Sequence, residues 1–172
     1  VLGETDLADD LERLHARLDD IEASEELASG EAARVLIAED NAINQRVALR
    51  MLEKIGVAAD VVENGRLAVD AVRSRRYALV FMDCQMPEMD GFAATRALRE
   101  IEANGAARLP IIAMTAHAMQ GDRERCLDAG MDDYMSKPIS RAMLEKMLDK
   151  WLPGFAAGAN EERLSSGSVQ TV

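Results

Sequence analysis

The chain has 172 residues, 48% of them apolar and 30% charged, the balance of a soluble folded protein and not of a disordered one. No apolar run approaches the roughly 20 residues needed to cross a bilayer, and no signal peptide opens the chain, so no membrane contact by this segment is expected. The net charge of −11 is uneven: residues 1–31 hold eleven acids against Arg13 and Arg17, residues 153–172 contribute −1, and the 121 residues between them only −1. With no basic tract to track phosphates, nucleic acid is excluded as a partner.

Residues 1–22 form an acidic leader in which Leu7, Leu11, Leu14, Leu18 and Ile21 recur at heptad spacing. Thr5 suits an N-cap, with Asp6, Asp9 and Asp10 in the first turn. Two readings stay open: a dimer through this helix, in which Arg17 faces the partner's Glu22, or an amphipathic helix against the main domain. His15 reads as a solvated surface residue. Residues 23–33 read as a linker broken at Ser29-Gly30. Because the first residue is Val1 and not Met, the chain is expected to be a piece of something longer or a processed chain.

From Arg34 the pattern turns regular. Val35–Ala38 is a short apolar run ending in acids. Ile43, Val47, Met51 and Ile55 repeat at helical spacing up to Gly56. Val57–Val62 is strand-like, and Asn64-Gly65 is a turn before a helix with Leu67, Ala71 and Val72. Ala78–Met82 and Pro110–Met114 are further apolar runs, separated by a helix over 91–103. A helix over 121–129, a short strand over 132–136 and a last helix with Leu144, Met147, Leu148 and Trp151 complete the domain at 34–152. Residues 153–172 read as a flexible tail. Continuously apolar strands alternating with helices predict an α/β fold, a five-stranded parallel sheet covered on both faces. In such sheets ligands bind beyond the carboxyl ends of the strands.

The residues just beyond those ends are Glu39-Asp40, Asp83, Thr115 and Lys137. Singly, each has an ordinary reading: Asp83 as a turn residue, Asp40 as a helix cap, Thr115 as a strand-end threonine. Jointly, three converging carboxylates repel unless a cation neutralises them, and a hard divalent ion that meets phosphate while keeping waters is Mg²⁺. A lysine and a hydroxyl beside them suit the charge of a transferring phosphoryl group. Cys84 and Cys126 have no metal or redox spacing and read as reduced thiols of a cytoplasmic protein.

Residues 34–152 resemble the receiver domain of two-component signalling. The matching stretches are Val35-Leu36-Ile37-Ala38-Glu39-Asp40-Asn41, Val80-Phe81-Met82-Asp83-Cys84-Gln85-Met86-Pro87-Glu88-Met89-Asp90-Gly91, Ile112-Ala113-Met114-Thr115-Ala116 and Tyr134-Met135-Ser136-Lys137-Pro138. Asn44-Gln45 and Met114-Thr115-Ala116-His117 look most like C-terminal receivers of hybrid histidine kinases. The resemblance implies a flavodoxin-like, doubly wound fold and a domain that takes a phosphoryl group from a phosphohistidine onto Asp83. Mg²⁺ would be held by Asp40, Glu39, Asp83 and the backbone carbonyl of Gln85. Lys137 would neutralise a phosphoryl oxygen, with Pro138 in a cis peptide, and Thr115 and Tyr134 would act as the conformational switch. Gln85 and His117 would tune the lifetime of the acyl phosphate. The partners implied are a histidine kinase core, in the same chain or another, and a histidine phosphotransfer protein. The domain would itself catalyse transfer and autodephosphorylation, and the parent chain would be a hybrid histidine kinase.

Three alternatives compete. An aspartyl-phosphate phosphohydrolase of the haloacid dehalogenase type needs a second acid two residues after its nucleophile, and Gln85 stands there. A receiver-fold interaction module would have lost a pocket residue, and none is missing. A DNA-binding regulator needs a further domain, for which the tail is too short.

Overall fold

A computed structural model describes residues 34–116 and 120–153. The expectations for the leader, the linker, His117 and the tail beyond Pro153 lie outside the described residues.

Five strands, β1 (Arg34–Ala38), β2 (Ala58–Val62), β3 (Leu79–Asp83), β4 (Ile111–Thr115) and β5 (Asp133–Ser136), form one sheet of order β2-β1-β3-β4-β5. Every neighbouring pair is parallel. Between and after them run α1 (Ala42–Ile55), α2 (Gly65–Ser74), α3 (Gly91–Ala103), α4 (Gln120–Asp128) and α5 (Arg141–Trp151). This is the doubly wound, flavodoxin-like order, and its strand order reverses between β1 and β3.

Alternation along the central strands divides the core into two layers. Leu36, Ala38, Val80, Met82, Ile111 and Ala113 meet Ala68, Val69, Ala94, Leu98 and Cys126. On the other face Val35, Ile37, Leu79, Phe81, Ile112 and Met114 meet Ala48, Leu52, Leu144 and Leu148. β3 and β4 are therefore buried along their whole length and β1 from Val35 on, while β2, an edge strand, is only half-buried. Side-chain oxygens cap the helices: Asn41 Oδ1 accepts from the backbone N–H groups of Ile43 and Asn44, Asn64 from Leu67, Asp90 from Ala93 and Ser140 from Met143. Gly56, at φ 90°, ends α1 in the left-handed region that favours glycine.

Some expectations shift. Asp83 and Thr115 are the last residues of their strands and do not lie beyond them, because both still pair in register, with Met114 and Ser136. β2 starts at Ala58, since the Val57 N–H is taken by Leu52 O, and β5 starts at Asp133. Asp40 is not the cap of α1; Asn41 is. The sheet-facing stripe of α1 is Ala48 and Leu52, and Ile43, at the helix start beside the strand ends, is 72% exposed.

Candidate functional site

The site forms where the carboxyl ends of β1, β3, β4 and β5 meet, at the reversal of strand order. β1 delivers Glu39 and Asp40: Glu39 is 1% exposed and Asp40 is open to solvent. β3 ends on Asp83, which is 4% exposed, and β4 on Thr115, also buried. Carboxylate oxygens of Glu39, Asp40 and Asp83 all lie within 4.8 Å of one another. Lys137 follows β5, its backbone N–H donating to Thr115 O at 2.8 Å, and the Lys137–Pro138 peptide bond is cis.

Lys137 Nζ donates to Asp83 Oδ2 at 2.6 Å and lies 2.7 Å from Glu39 Oε2. Asp83 Oδ1 accepts the backbone N–H of Gln85 at 3.1 Å. Burial nonetheless dominates and pushes the Asp83 carboxyl above the usual carboxylate range, against the lowering by Lys137 and the Gln85 N–H. Burial alone would lower the Lys137 ammonium, but its hydrogen bond to Asp83 and the Glu39 carboxylate beside it outweigh burial and raise it.

The α1 terminus holds Glu39 from the other side. Its Oε1 accepts from the Asn41 backbone N–H at 3.2 Å and from Asn44 Nδ2 at 3.1 Å, while Gln45 Nε2 donates to the Glu39 carbonyl oxygen at 2.6 Å. Glu39 Oε2 is buried and, although close to Lys137 Nζ, makes no hydrogen bond of acceptable geometry. The loop after β3 is fixed by close packing. The Gly91 N–H donates to Cys84 O at 3.2 Å, Gly65 N–H to Met89 O at 3.0 Å, and Glu88 adopts φ 64°.

The donor set is three hard carboxylates, one with an oxygen held by an ion pair and no hydrogen bond, against the single ammonium of Lys137. Such a set fits a divalent cation with oxygen ligands, since three acids and one lysine leave an excess of negative charge in a half-buried cleft. Of the expected site residues, Glu39, Asp40, Asp83, Thr115 and Lys137 stand together at this edge. The Gln85 side chain is exposed, and its backbone N–H reaches Asp83. Tyr134, half-buried, pairs in register with Ala113 and packs against the core on the α2–α4 side. Sequence reasoning did not find the grip of Asn44 and Gln45 on Glu39; the available signal was their place in the first turn of the helix that follows it. Nor did it find Cys84 Sγ 3.8 Å from Cys126 Sγ, which 42 residues separate.

Comparison with known proteins agrees with this geometry. Residues 35–149 match the family model of the response regulator receiver domain. Over 118 residues the chain is 48% identical to the hybrid signal transduction protein dokA of Dictyostelium discoideum, covering 69% of this chain and 7% of that protein. It is 45% identical over 124 residues to the sensor protein GacS of Pseudomonas syringae pv. syringae, covering 72% and 14%. The chain thus spans a small fraction of these relatives' length. Among solved structures it resembles the receiver domain of the Pseudomonas aeruginosa sensor histidine kinase PA1611, crystallised with magnesium in its active site cleft, at 45% identity and TM-score 0.64, covering 70% of this chain and 97% of that one. It also resembles a Saccharomyces cerevisiae complex of the histidine phosphotransfer protein Ypd1 with the receiver domain of its downstream response regulator Ssk1, at 32% identity and TM-score 0.67, covering 69% and 88%. A parallel sheet of this order with acids and a lysine at its switch point, matched by a family model across two-thirds of the sequence, leaves one assignment: the chain belongs to the response regulator receiver domain family.

Proposed function

We propose that this receiver domain accepts a phosphoryl group on Asp83 from a phosphohistidine and either switches conformation or passes the group to a histidine phosphotransfer protein. The observation that carries the reading is the convergence of Asp83, Glu39, Asp40 and Lys137 at one sheet edge. An Asp83 carboxylate oxygen forms a bond to phosphorus as the phosphorus–nitrogen bond of the donor breaks. The imidazole leaves with the electron pair, and an acyl phosphate remains. Lys137, already on Asp83 Oδ2, offers its ammonium to the phosphoryl oxygens.

Glu39, Asp40 and Asp83, with the Gln85 carbonyl, are the residues that would hold Mg²⁺. When bound, the cation offsets the negative charge of carboxylates and phosphoryl oxygens together. Thr115 would hydrogen-bond the phosphoryl group and Tyr134 would respond, a local charge change biasing the face formed by α4, β5 and α5. Gln85 and His117 would set how fast water removes the group, an autodephosphorylation that the domain itself performs.

The partners fit the relatives: a histidine kinase core in the same or another chain as donor, and a histidine phosphotransfer protein of the kind bound by the Ssk1 receiver. The leader would supply a dimer contact, and the domain would work in the cytoplasm as part of a hybrid histidine kinase. No helix among the described residues is long and apolar enough to cross a membrane. The test is the intact mass of the chain after incubation with a small acyl phosphate and Mg²⁺. One phosphoryl addition is expected, lost in Asp83→Asn and without the cation; persistent labelling of Asp83→Asn refutes the assignment.

A further inference from the structure

We infer that Asn44 is a positioning residue for the cation site: it clamps one oxygen of Glu39 so that the other is turned to the metal and to Lys137. The inference rests on the reading of the carboxylate cluster as a Mg²⁺ site.

A glutamate has three rotatable side-chain bonds, and its two oxygens are equivalent until the surroundings distinguish them. Here they are sharply distinguished. Oε1 accepts two hydrogen bonds, from the Asn41 backbone N–H at 3.2 Å and from Asn44 Nδ2 at 3.1 Å, both from the start of α1. Oε2 accepts none of good geometry, is buried, and lies 2.7 Å from Lys137 Nζ. A buried carboxylate oxygen without a hydrogen bond costs stability unless a charge compensates it; the Lys137 ammonium does so here, and a cation held with Asp40 and Asp83 would add to it.

Rotating the carboxylate away would break both bonds to Oε1 at a residue that is 1% exposed, where water cannot replace them. The Asn41 N–H is fixed by the backbone of the cap. The Asn44 amide is therefore the side chain that selects the orientation. Gln45 acts at a different point: its Nε2 holds the Glu39 carbonyl oxygen at 2.6 Å and so the backbone of the β1–α1 turn. The neighbouring amides thus divide the work, one fixing the carboxylate and the other the chain that carries it.

Outer partners that orient a metal-binding side chain contribute roughly 10- to 100-fold to metal affinity. The test is calorimetric titration of the unphosphorylated chain with Mg²⁺ for wild type, Asn44→Ala, Glu39→Gln and the double variant. Asn44→Ala is expected to weaken Mg²⁺ about 10-fold. In the Glu39→Gln background the same change is expected to have little further effect, because Asn44 acts through Glu39. Unchanged affinity in Asn44→Ala, or equal losses in the two backgrounds, overturns the inference. A wild-type chain that binds no Mg²⁺ overturns the cation site itself, a distinct result. Ca²⁺ gives a second check that needs only the single variant. Ca²⁺ tolerates flexible coordination and Mg²⁺ demands near-octahedral placement, so Asn44→Ala should lower Mg²⁺ affinity more than Ca²⁺ affinity. Equal losses for the two ions also overturn the inference.

Discussion

Lys137 Nζ reaches Asp83 Oδ2 at 2.6 Å across 54 residues of sequence, with Glu39 Oε2 only 2.7 Å from the same nitrogen. One ammonium thus serves two buried carboxylates. Lys137→Met should leave both uncompensated, a loss of about 3 kcal/mol, the lower end for breaking a buried pair because Lys137 remains partly exposed. In the variant the deficit should shrink toward acidic pH. Asp83 has a raised folded-state value, so the folded chain binds its proton first and gains stability as pH falls. Urea unfolding in a chelating buffer at pH 5 and pH 7.5 measures both effects; equal stability of variant and wild type at pH 7.5 contradicts the clamp.

Gly91 begins α3 directly against the end of β3. A Cβ there would sit 2.1 Å from Asp83 O and 3.0 Å from Met82 Cγ. Since the backbone of Asp83 cannot give without breaking the strand end, Gly91→Ala should destabilise by about 1–3 kcal/mol or more. It should also slow phosphorylation by acyl phosphate, because the acceptor moves with its backbone. Thermal unfolding and the labelling rate check this, and a variant as stable and as fast as wild type would show that the contact is not tight.

A second charged cluster lies away from the candidate site. Asp60 accepts from Tyr77 Oη at 2.9 Å, Arg34 at 2.7 Å and Arg75 at 3.1 Å. Burial tends to raise the Asp60 carboxyl, but these donors prevail and hold it below its ordinary value of 3.8. Its contribution to stability is therefore present above about pH 4 and lost as pH falls further. Burial and Asp60 push the Tyr77 phenol up from 10.0 to about 12. That contribution is complete below pH 10 and lost as pH rises through about 12. Tyr77→Phe should cost about 1 kcal/mol at pH 7 and remove this part of the alkaline decline. Denaturant midpoints from pH 7 to pH 12 test it; parallel curves for the two proteins would rule it out.

Cys84 and Cys126 are both buried, 5% and 1% exposed, with Sγ atoms 3.8 Å apart. Burial pushes both thiols upward, so the reactive thiolate is scarce. A chromogenic disulfide reagent at pH 8 should label neither thiol in the native chain over minutes and both on addition of denaturant. Fast native labelling would mean that the α4 side opens readily.

The amino-acid sequence by itself determined the parallel sheet and the edge at which chemistry gathers. Runs such as Val35–Ala38 and Leu79–Met82 are apolar at every position, and only a sheet covered on both faces buries them so. Their abrupt ends on Glu39 and Asp83 mark the carboxyl edge where the order of strands reverses. Capping is local as well, since Asn41, Asn64 and Asp90 bond to backbone groups two or three residues on, yet the residue that caps α1 is Asn41 and not the Asp40 that the sequence offered. The tertiary structure alone decided what depends on distance through space. It chose which oxygen of Glu39 Asn44 holds, left Ile43 exposed while burying Leu52 one helix face away, seated Gly91 on the Asp83 carbonyl and put two cysteines 42 residues apart in contact. Period and composition constrain which face of an element is buried; they carry no information on rotamers or on which distant segment meets that face. The Asp83–Lys137 pair shows both limits, since its members could be named from the strand ends while the shared ammonium between Asp83 and Glu39 exists only once β1, β3 and β5 lie side by side.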